Sequence, residues 1–271
     1  MPALMFMAGL FLVKSANHGL LPFVVRRFGT LYYPAVLWGL VTAVSLSTFR
    51  AYINTDPSRR SLWKIFYHPD SSYGFILTLF YLSLIFACAR AARITSWLLP
   101  PVAVAAWYLG LAAHNDVAIG FGSWGLWLTL GVVLRDVTLS VTRRSTSFLT
   151  GMAVVSGAVV PVGTALHQEA PPLICTPFGI VMLLACAGLL ERSRLARVLE
   201  ICGPRSLEIY LLHSLIWVAC RIVLVHFLDI KVPEILVPVL LASGVAGSIA
   251  ATRLAERLNM SWAFRLRLRV K

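Results

Sequence analysis

The sequence predicts an all-α protein, a polytopic transmembrane helix bundle, and three observations carry this prediction. Of its 271 residues, 59% are hydrophobic and only 13% are charged, and the mean hydropathy is +0.81. Soluble globular domains carry about 25% charged residues. The apolar residues also come in blocks of about twenty, the length of an α-helix that crosses a bilayer. Thirdly, the basic residues are concentrated in alternate connections between these blocks.

Nine apolar blocks follow one another along the chain, and each is a predicted helix. They cover residues 1–13, 31–49, 73–89, 94–113, 117–134, 147–165, 171–190, 206–228 and 233–251. Because no long hydrophilic linker separates them, we expect one membrane domain over 1–252, followed by a basic cytoplasmic tail over 253–271. The glycine-rich stretch 119–125 predicts close contact between helices, and Pro100-Pro101 predict a kink in the fourth block.

The formal net charge of +13 could suggest nucleic acid as a partner, but the distribution of the charge indicates topology instead. Most of the 24 lysines and arginines follow the first, third, fifth, seventh and ninth blocks. The positive-inside rule therefore places these connections and the C-terminus in the cytoplasm, with the lipid bilayer as the main partner. Nine spans would then leave Met1 outside, so we expect that this chain lacks an N-terminal helix that would precede Met1. The alternative is an unusual mode of insertion. Nucleic acid is excluded as a partner.

No motif of a soluble enzyme or a metal site occurs in the sequence. The five cysteines are scattered without a CxxC pair, so neither a disulfide nor a metal is predicted. A nucleophile elbow, a P-loop, an HExxH pair and a dinucleotide fingerprint are all absent from the sequence. Chemistry must therefore come from polar groups in or near the predicted spans.

The eighth block contains the most informative of these groups. Ser206, Tyr210, His213, Trp217 and Arg221 share one helical face. Ionisable groups at this depth are costly and usually face a protein interior or a water-filled cavity. His213 and Tyr210 are the candidate catalytic residues, with His213 as a general base or as a group that holds a hydroxyl. The alternative is a structural stripe, in which the histidine bonds to a neighbouring helix.

A basic pair, Arg26 and Arg27, follows the first block. Arginine binds phosphate in a bidentate manner, so this pair is the candidate binding site for a phosphorylated acyl donor such as an acyl-CoA. The alternative is ordinary positive-inside topology. Glu208 stands near the start of the eighth block, where a carboxylate favours the helix dipole, and we expect it to stabilise that end of the helix.

Three regions of the sequence resemble the acyltransferase-3 family of integral membrane acyltransferases. The first comprises stretches 1–10, 25–28 and 31–38, which resemble the family's second helix, its basic turn and the start of its third helix. Stretch 74–80 resembles an aromatic-led span of the family, and 203–216 resembles its late-helix signature. The order and spacing agree over essentially the whole chain.

The resemblance implies ten helices with both termini cytoplasmic, and acylation of envelope carbohydrates with acetyl, succinyl and similar groups. The family's arginine and presumed histidine base would lie on a helix preceding Met1. The chain also departs from the family at three motifs. A Ser-Gly-aromatic motif is Ala8-Gly9-Leu10, an Arg-x-x-Arg pattern keeps Arg27 but has Thr30, and a Trp-Phe pair is Gly74-Phe75.

Two functions follow from these observations. The first is a membrane O-acyltransferase that moves an acyl group from a cytoplasmic donor to a hydroxyl of a cell-envelope carbohydrate, in a bacterial inner membrane. The second is a catalytically inactive, shortened relative that acts as a permease or an assembly partner.

Overall fold

The computed structural model describes residues 2–16, 19–48, 66, 73–166, 175–194, 196–230 and 232–266. These residues are mostly helical, and no strand occurs among them. The described parts of all nine predicted blocks lie mainly in helices, so the all-α prediction is confirmed. In chain order the helices are α1 (Pro2–Ser15), α2 (Leu20–Arg27), α3 (Tyr33–Thr48), α4 (Gly74–Ala91), α5 (Leu99–Ala112), α6 (Asp116–Val133), α7 (Arg135–Thr142), α8 (Thr146–Leu166), α9 (Cys175–Glu191), α10 (Ala196–Cys202), α11 (Ser206–Ile222) and α12 (Pro233–Arg257).

Many of these helices have the length and composition of membrane spans. Five helical stretches in the described part are long and apolar enough to cross a bilayer: Leu20–Ser45, Gly74–Ala91, Asp116–Val133, Glu200–Phe227 and Pro233–Arg257. Shorter apolar helices accompany them at Pro2–Ser15, Ser96–Ala112, Thr146–Val159 and Cys175–Glu191. The chain therefore has the helices of an integral membrane protein.

Local sequence explains where several helices begin. The Asn115 side chain accepts a hydrogen bond from the Ala118 N–H at 3.0 Å and caps α6. Pro100 and Pro101 lie in the first turn of α5, where the backbone N–H groups have no partner within the helix. The kink predicted at this proline pair is therefore wrong, because the prolines start a helix instead of interrupting one.

Contacts divide the chain into two compact units, each built from segments that are distant in sequence. The first unit comprises Met1–Phe23 and Tyr81–Leu199, and the second comprises Val24–Phe80 and Glu200–Lys271. In the first unit α1 and α5 both pack against α6, and α8 packs against α9.

Two glycines bring the backbones of α1 and α6 into direct contact. A Cβ at Gly9 would lie 2.1 Å from the carbonyl oxygen of Leu128, and one at Gly131 would lie 2.1 Å from that of Phe6. No side chain fits at either position without separating the helices. Of the family's Ser-Gly-aromatic motif, Ala8-Gly9-Leu10 retains only the glycine. The close packing of α1 and α6 explains why a glycine is needed at this position.

A second close approach joins α5 and α6 in the same unit. A Cβ at Gly122 would lie 2.4 Å from the backbone nitrogen of Trp107, and one at Gly110 would lie 2.7 Å from that of Ile119. The close helix contact predicted for stretch 119–125 is therefore confirmed.

In the second unit a π-helical turn, Phe28–Tyr32, joins α2 to α3. Proline has no N–H and its ring clashes with the carbonyl four residues earlier, so Pro34 disfavours an ordinary α-helical turn here. The Tyr33 N–H bonds to the Phe28 carbonyl, and Pro34 has no N–H to donate to the Gly29 carbonyl. The Leu266 N–H donates to that carbonyl instead, at 3.0 Å.

Residues 258–266, called the C-terminal segment below, pack within the second unit. α12 continues to Arg257, beyond the domain boundary predicted at 252. Ala263 and Phe264 are buried, and the Trp38 indole N–H donates to the Ala263 carbonyl at 2.9 Å. The Trp38 and Phe264 rings stack with their centroids 5.5 Å apart. This part of the predicted tail is therefore folded, while residues 267–271 lie outside the described part.

Candidate functional site

Helix α11 carries both predicted catalytic residues. A 3₁₀ turn, Gly203–Arg205, leads directly into α11, and its proline suits the first turn of a helix. Tyr210 and His213 are half-buried and lie one turn apart on the same face. Their rings are 5.5 Å apart between centroids, so the structure brings the two residues together as predicted.

A hydrogen bond within α11 orients the imidazole of His213. Its Nδ1 lies 2.6 Å from the backbone carbonyl oxygen of Tyr210. A carbonyl can only accept, so we assign the proton to Nδ1, and in the neutral ring Nε2 is then an acceptor. The structural alternative predicted that His213 bonds to a neighbouring helix. Among the described contacts, its hydrogen bond is instead to a carbonyl of its own helix.

Tyr73 fixes α11 from behind this pair. Its side chain is only 1% exposed. Its hydroxyl donates to the carbonyl of Leu211 at 2.8 Å and accepts a second hydrogen bond from the Thr42 hydroxyl at 2.9 Å. A buried hydroxyl is costly unless it is bonded, so these two contacts hold α3 and α11 to the start of α4.

Aromatic rings enclose one side of Tyr210. The Tyr73 ring meets it edge-on with centroids 6.4 Å apart, and the Phe75 ring lies 5.7 Å away. Aromatic pairs favour such separations and tilts. The retained phenylalanine of Gly74-Phe75 therefore packs beside the candidate catalytic tyrosine.

Helix α12 packs against α11. Leu240, Gly244, Ser248 and Thr252 are buried and recur every four residues, which places them on one face. A Cβ at Gly244 would lie 3.9 Å from the Cβ of His213. The hydroxyls of Ser248 and Thr252 donate to carbonyls of their own helix, those of Gly244 and Ser248. The face beside the histidine is therefore compact, and these hydroxyls are already bonded.

We call Thr42, Tyr73, Phe75, Tyr210 and His213 the α11 cluster. It offers a ring nitrogen that can accept a proton and a phenol that can hold a hydroxyl group. General base catalysis needs such an acceptor within hydrogen-bond reach of the group to be activated. The cluster therefore has the groups needed to bind and activate an alcohol.

The other members of the predicted polar stripe are not enclosed. Ser206, Trp217 and Arg221 are exposed, Trp217 to 51%. The stripe is therefore buried only in its middle, at Tyr210 and His213, and does not form a continuous enclosed path along α11.

Arg26 and Arg27 lie at the end of α2, immediately before the π-helical turn. Arg26 is exposed and Arg27 is half-buried. The hydroxyl of Thr30, at the family's second arginine position, donates to the Arg26 carbonyl at 2.8 Å. The arginine pair lies on a different helix from the α11 cluster and is not one of its members.

Glu208 has a further partner that the sequence did not reveal. It lies in the first turn of α11, as expected for a carboxylate that favours the helix dipole. The side chain is nearly buried, and its Oε1 accepts a hydrogen bond from Arg265 Nη2 at 3.0 Å. Its role therefore includes an ion pair with the C-terminal segment.

Sequence reasoning missed Tyr73 and Thr42. Tyr73 directly precedes Gly74-Phe75, which was the only local signal. Its partners are 31 and 138 residues away in sequence, so the contacts depend on tertiary structure.

A comparison with models of protein families gives a match over most of the chain. The model of the acyltransferase domain of the acyltransferase-3 family matches residues 1–253. No curated protein and no solved structure matches significantly. The match includes α11 with Tyr210 and His213, the basic pair on α2, and nearly all of the described helices. The chain belongs to the acyltransferase-3 family of membrane acyltransferases.

Proposed function

We propose that the protein is a membrane O-acyltransferase that takes an acetyl- or succinyl-type group from an acyl-CoA in the cytoplasm. The acceptor is a hydroxyl of a cell-envelope carbohydrate, and the location is a bacterial inner membrane. Family membership over residues 1–253 supports membrane acyl transfer. The observation that carries the proposal is the Nδ1 bond of His213, which leaves Nε2 as an acceptor beside Tyr210.

In the proposed reaction the acceptor hydroxyl binds between Tyr210 and His213. Its oxygen attacks the thioester carbonyl carbon while its proton passes to Nε2 of His213. The carbon–sulfur bond then breaks, and the coenzyme A thiolate takes the proton from the imidazolium. The phenol of Tyr210 holds the acceptor oxygen, and no metal is required.

Arg26 and Arg27 bind the phosphates of the donor in this proposal. Arg26 is exposed and its guanidinium can reach a soluble ligand. A guanidinium matches phosphate geometry with two parallel hydrogen bonds, which a lysine ammonium does not. Arg26→Lys should therefore weaken donor binding although it retains the charge.

His213→Asn tests the proposal. Asparagine retains an N–H for the Tyr210 carbonyl but supplies no base. We expect acyl ester on the envelope glycan, measured by mass spectrometry, to fall by about 10²-fold or more. His114→Asn is the matched control, because His114 is exposed in the turn between α5 and α6. Unchanged ester in His213→Asn at normal protein levels would favour the inactive relative that acts as a permease or an assembly partner.

A further inference from the structure

The C-terminal segment binds three separate elements of the second unit. The indole N–H of Trp38, in α3, donates a hydrogen bond to the carbonyl of Ala263. The Gly29 carbonyl, in the π-helical turn, accepts a hydrogen bond from the Leu266 N–H. The guanidinium of Arg265 donates at 3.2 Å to the carbonyl of Pro204, in the turn that leads into α11. The segment thus connects α3, the π-helical turn and the beginning of α11.

The contact at Gly29 lies next to the arginine pair. Gly29 follows Arg27 by two residues, and its carbonyl depends on Leu266 because Pro34 cannot donate to it. A Cβ at Gly29 would lie 2.2 Å from the Leu266 carbonyl oxygen, so the segment rests directly on the turn. π-Helical turns are frequent at functional sites. The geometry of the turn that follows Arg27 is thus tied to the C-terminal segment.

An ion pair fastens the same segment to α11. The Glu208 side chain is 9% exposed and that of Arg265 is 50% exposed, with 3.0 Å between Oε1 and Nη2. A buried carboxylate without a partner is costly, so Glu208 favours the conformation in which Arg265 is bound. The other oxygen of Glu208, Oε2, is buried without a hydrogen-bond partner, which increases its dependence on Arg265.

We propose that the C-terminal segment is a clasp that positions Arg26 and Arg27 for the phosphates of the acyl donor. Arg265 and Trp38 are its positioning residues. This inference rests on the proposed function, because it assumes that the arginine pair binds the donor. Release of the clasp frees the Gly29 carbonyl, loosens the π-helical turn and weakens donor binding.

The test measures the clasp and donor binding separately in the full chain, reconstituted in nanodiscs. Hydrogen exchange of the peptide 258–266 reports whether the clasp is closed. Coenzyme A, which cannot transfer an acyl group, reports donor binding by calorimetry. Arg265→Gln and Trp38→Phe each remove one fastening, whereas Arg265→Lys retains the charge. Arg257→Gln and Trp97→Phe are the matched controls, since both side chains are exposed.

We expect Arg265→Gln and Trp38→Phe to speed exchange and to weaken coenzyme A binding, each by about tenfold. Arg265→Lys should recover part of both losses, and the two controls should match the wild type. In turnover assays the KM for the donor should rise, while kcat and the KM for the acceptor stay unchanged.

Three other outcomes would each overturn the inference. If exchange speeds up but coenzyme A binds as in the wild type, the segment is only structural, and the proposed function stands. If hydrogen exchange of the segment stays at the wild-type rate in both Arg265→Gln and Trp38→Phe, these side chains do not hold the segment in place. The inference then fails, while the proposed function stands. If the wild type itself binds no coenzyme A, both the inference and the donor site of the proposed function fail.

Discussion

His213 is oriented from within its own helix, while the helix is held by side chains from elsewhere. The imidazole bonds to the carbonyl of Tyr210, and the next carbonyl, that of Leu211, accepts from the hydroxyl of Tyr73. Thr42 supplies the second hydrogen bond of that hydroxyl. Two consecutive carbonyls of α11 are thus bonded by side chains. The bond from Tyr73 comes from outside the helix, so it limits rotation of α11.

At the same scale, Tyr73→Phe should destabilise the protein by about 1–3 kcal/mol. The substitution keeps the ring but removes a buried hydroxyl, and it leaves the Thr42 hydroxyl without this partner. Thermal unfolding in detergent measures the effect. Tyr108→Phe is the matched control, because Tyr108 is 62% exposed, and it should be neutral. Equal unfolding temperatures for Tyr73→Phe and the wild type would contradict the role assigned to the hydroxyl.

Two pairs of helices in the first unit are joined by direct backbone contact at glycines. Gly9 and Gly131 join α1 to α6, and Gly110 and Gly122 join α5 to α6. Within a bilayer the hydrophobic effect gives little drive for helix association, so close van der Waals packing carries much of the stability. α6 therefore organises two helix pairs through four residues that have no side chain.

At the element scale, Gly9→Ala should lower the unfolding temperature, with a loss of about 1–3 kcal/mol. The added methyl group would lie 2.1 Å from a backbone oxygen that cannot rotate away. Gly151→Ala in α8 is the control, since nothing lies within 4 Å of its Cβ position. Alanine favours a helix over glycine, so the control should be neutral or stabilising. An equal loss in both variants would argue against the proposed backbone contact.

On the scale of the whole molecule, the net charge of +13 remains an argument about orientation. The basic residues follow alternate apolar blocks, and those blocks form helices. The positive-inside rule then predicts a cytoplasmic C-terminus. The packing of the C-terminal segment within the second unit is compatible with either orientation, so a separate measurement tests the predicted orientation.

Reporter fusions test this orientation in a bacterial inner membrane. Green fluorescent protein at the C-terminus should fluoresce, and alkaline phosphatase at the same place should be inactive, because each folds on one side only. Fusions within the connection 167–174 should give the opposite pattern. An active C-terminal phosphatase would reverse the predicted topology.

The sequence alone determined the helical class, the locations of the apolar helices and the family, because these depend on local properties. The short helices α2, α7 and α10 lie outside the nine predicted blocks and were missed. Apolar blocks and turn residues act within about twenty positions, and the late-helix signature around Tyr210 and His213 is contiguous. Even the pairing of those two residues follows from helical periodicity.

The tertiary structure decided what surrounds these elements. Tyr73 meets Leu211 across 138 residues, and Trp38 meets Ala263 across 225. Because Pro34 has no N–H, the sequence indicates that a carbonyl in the preceding turn lacks its usual donor. It does not indicate that Leu266 supplies the bond. Hydrogen bonds and ion pairs between distant segments depend on which helices pack together. The helices share a similar apolar pattern, so the pattern does not specify which helix packs against which.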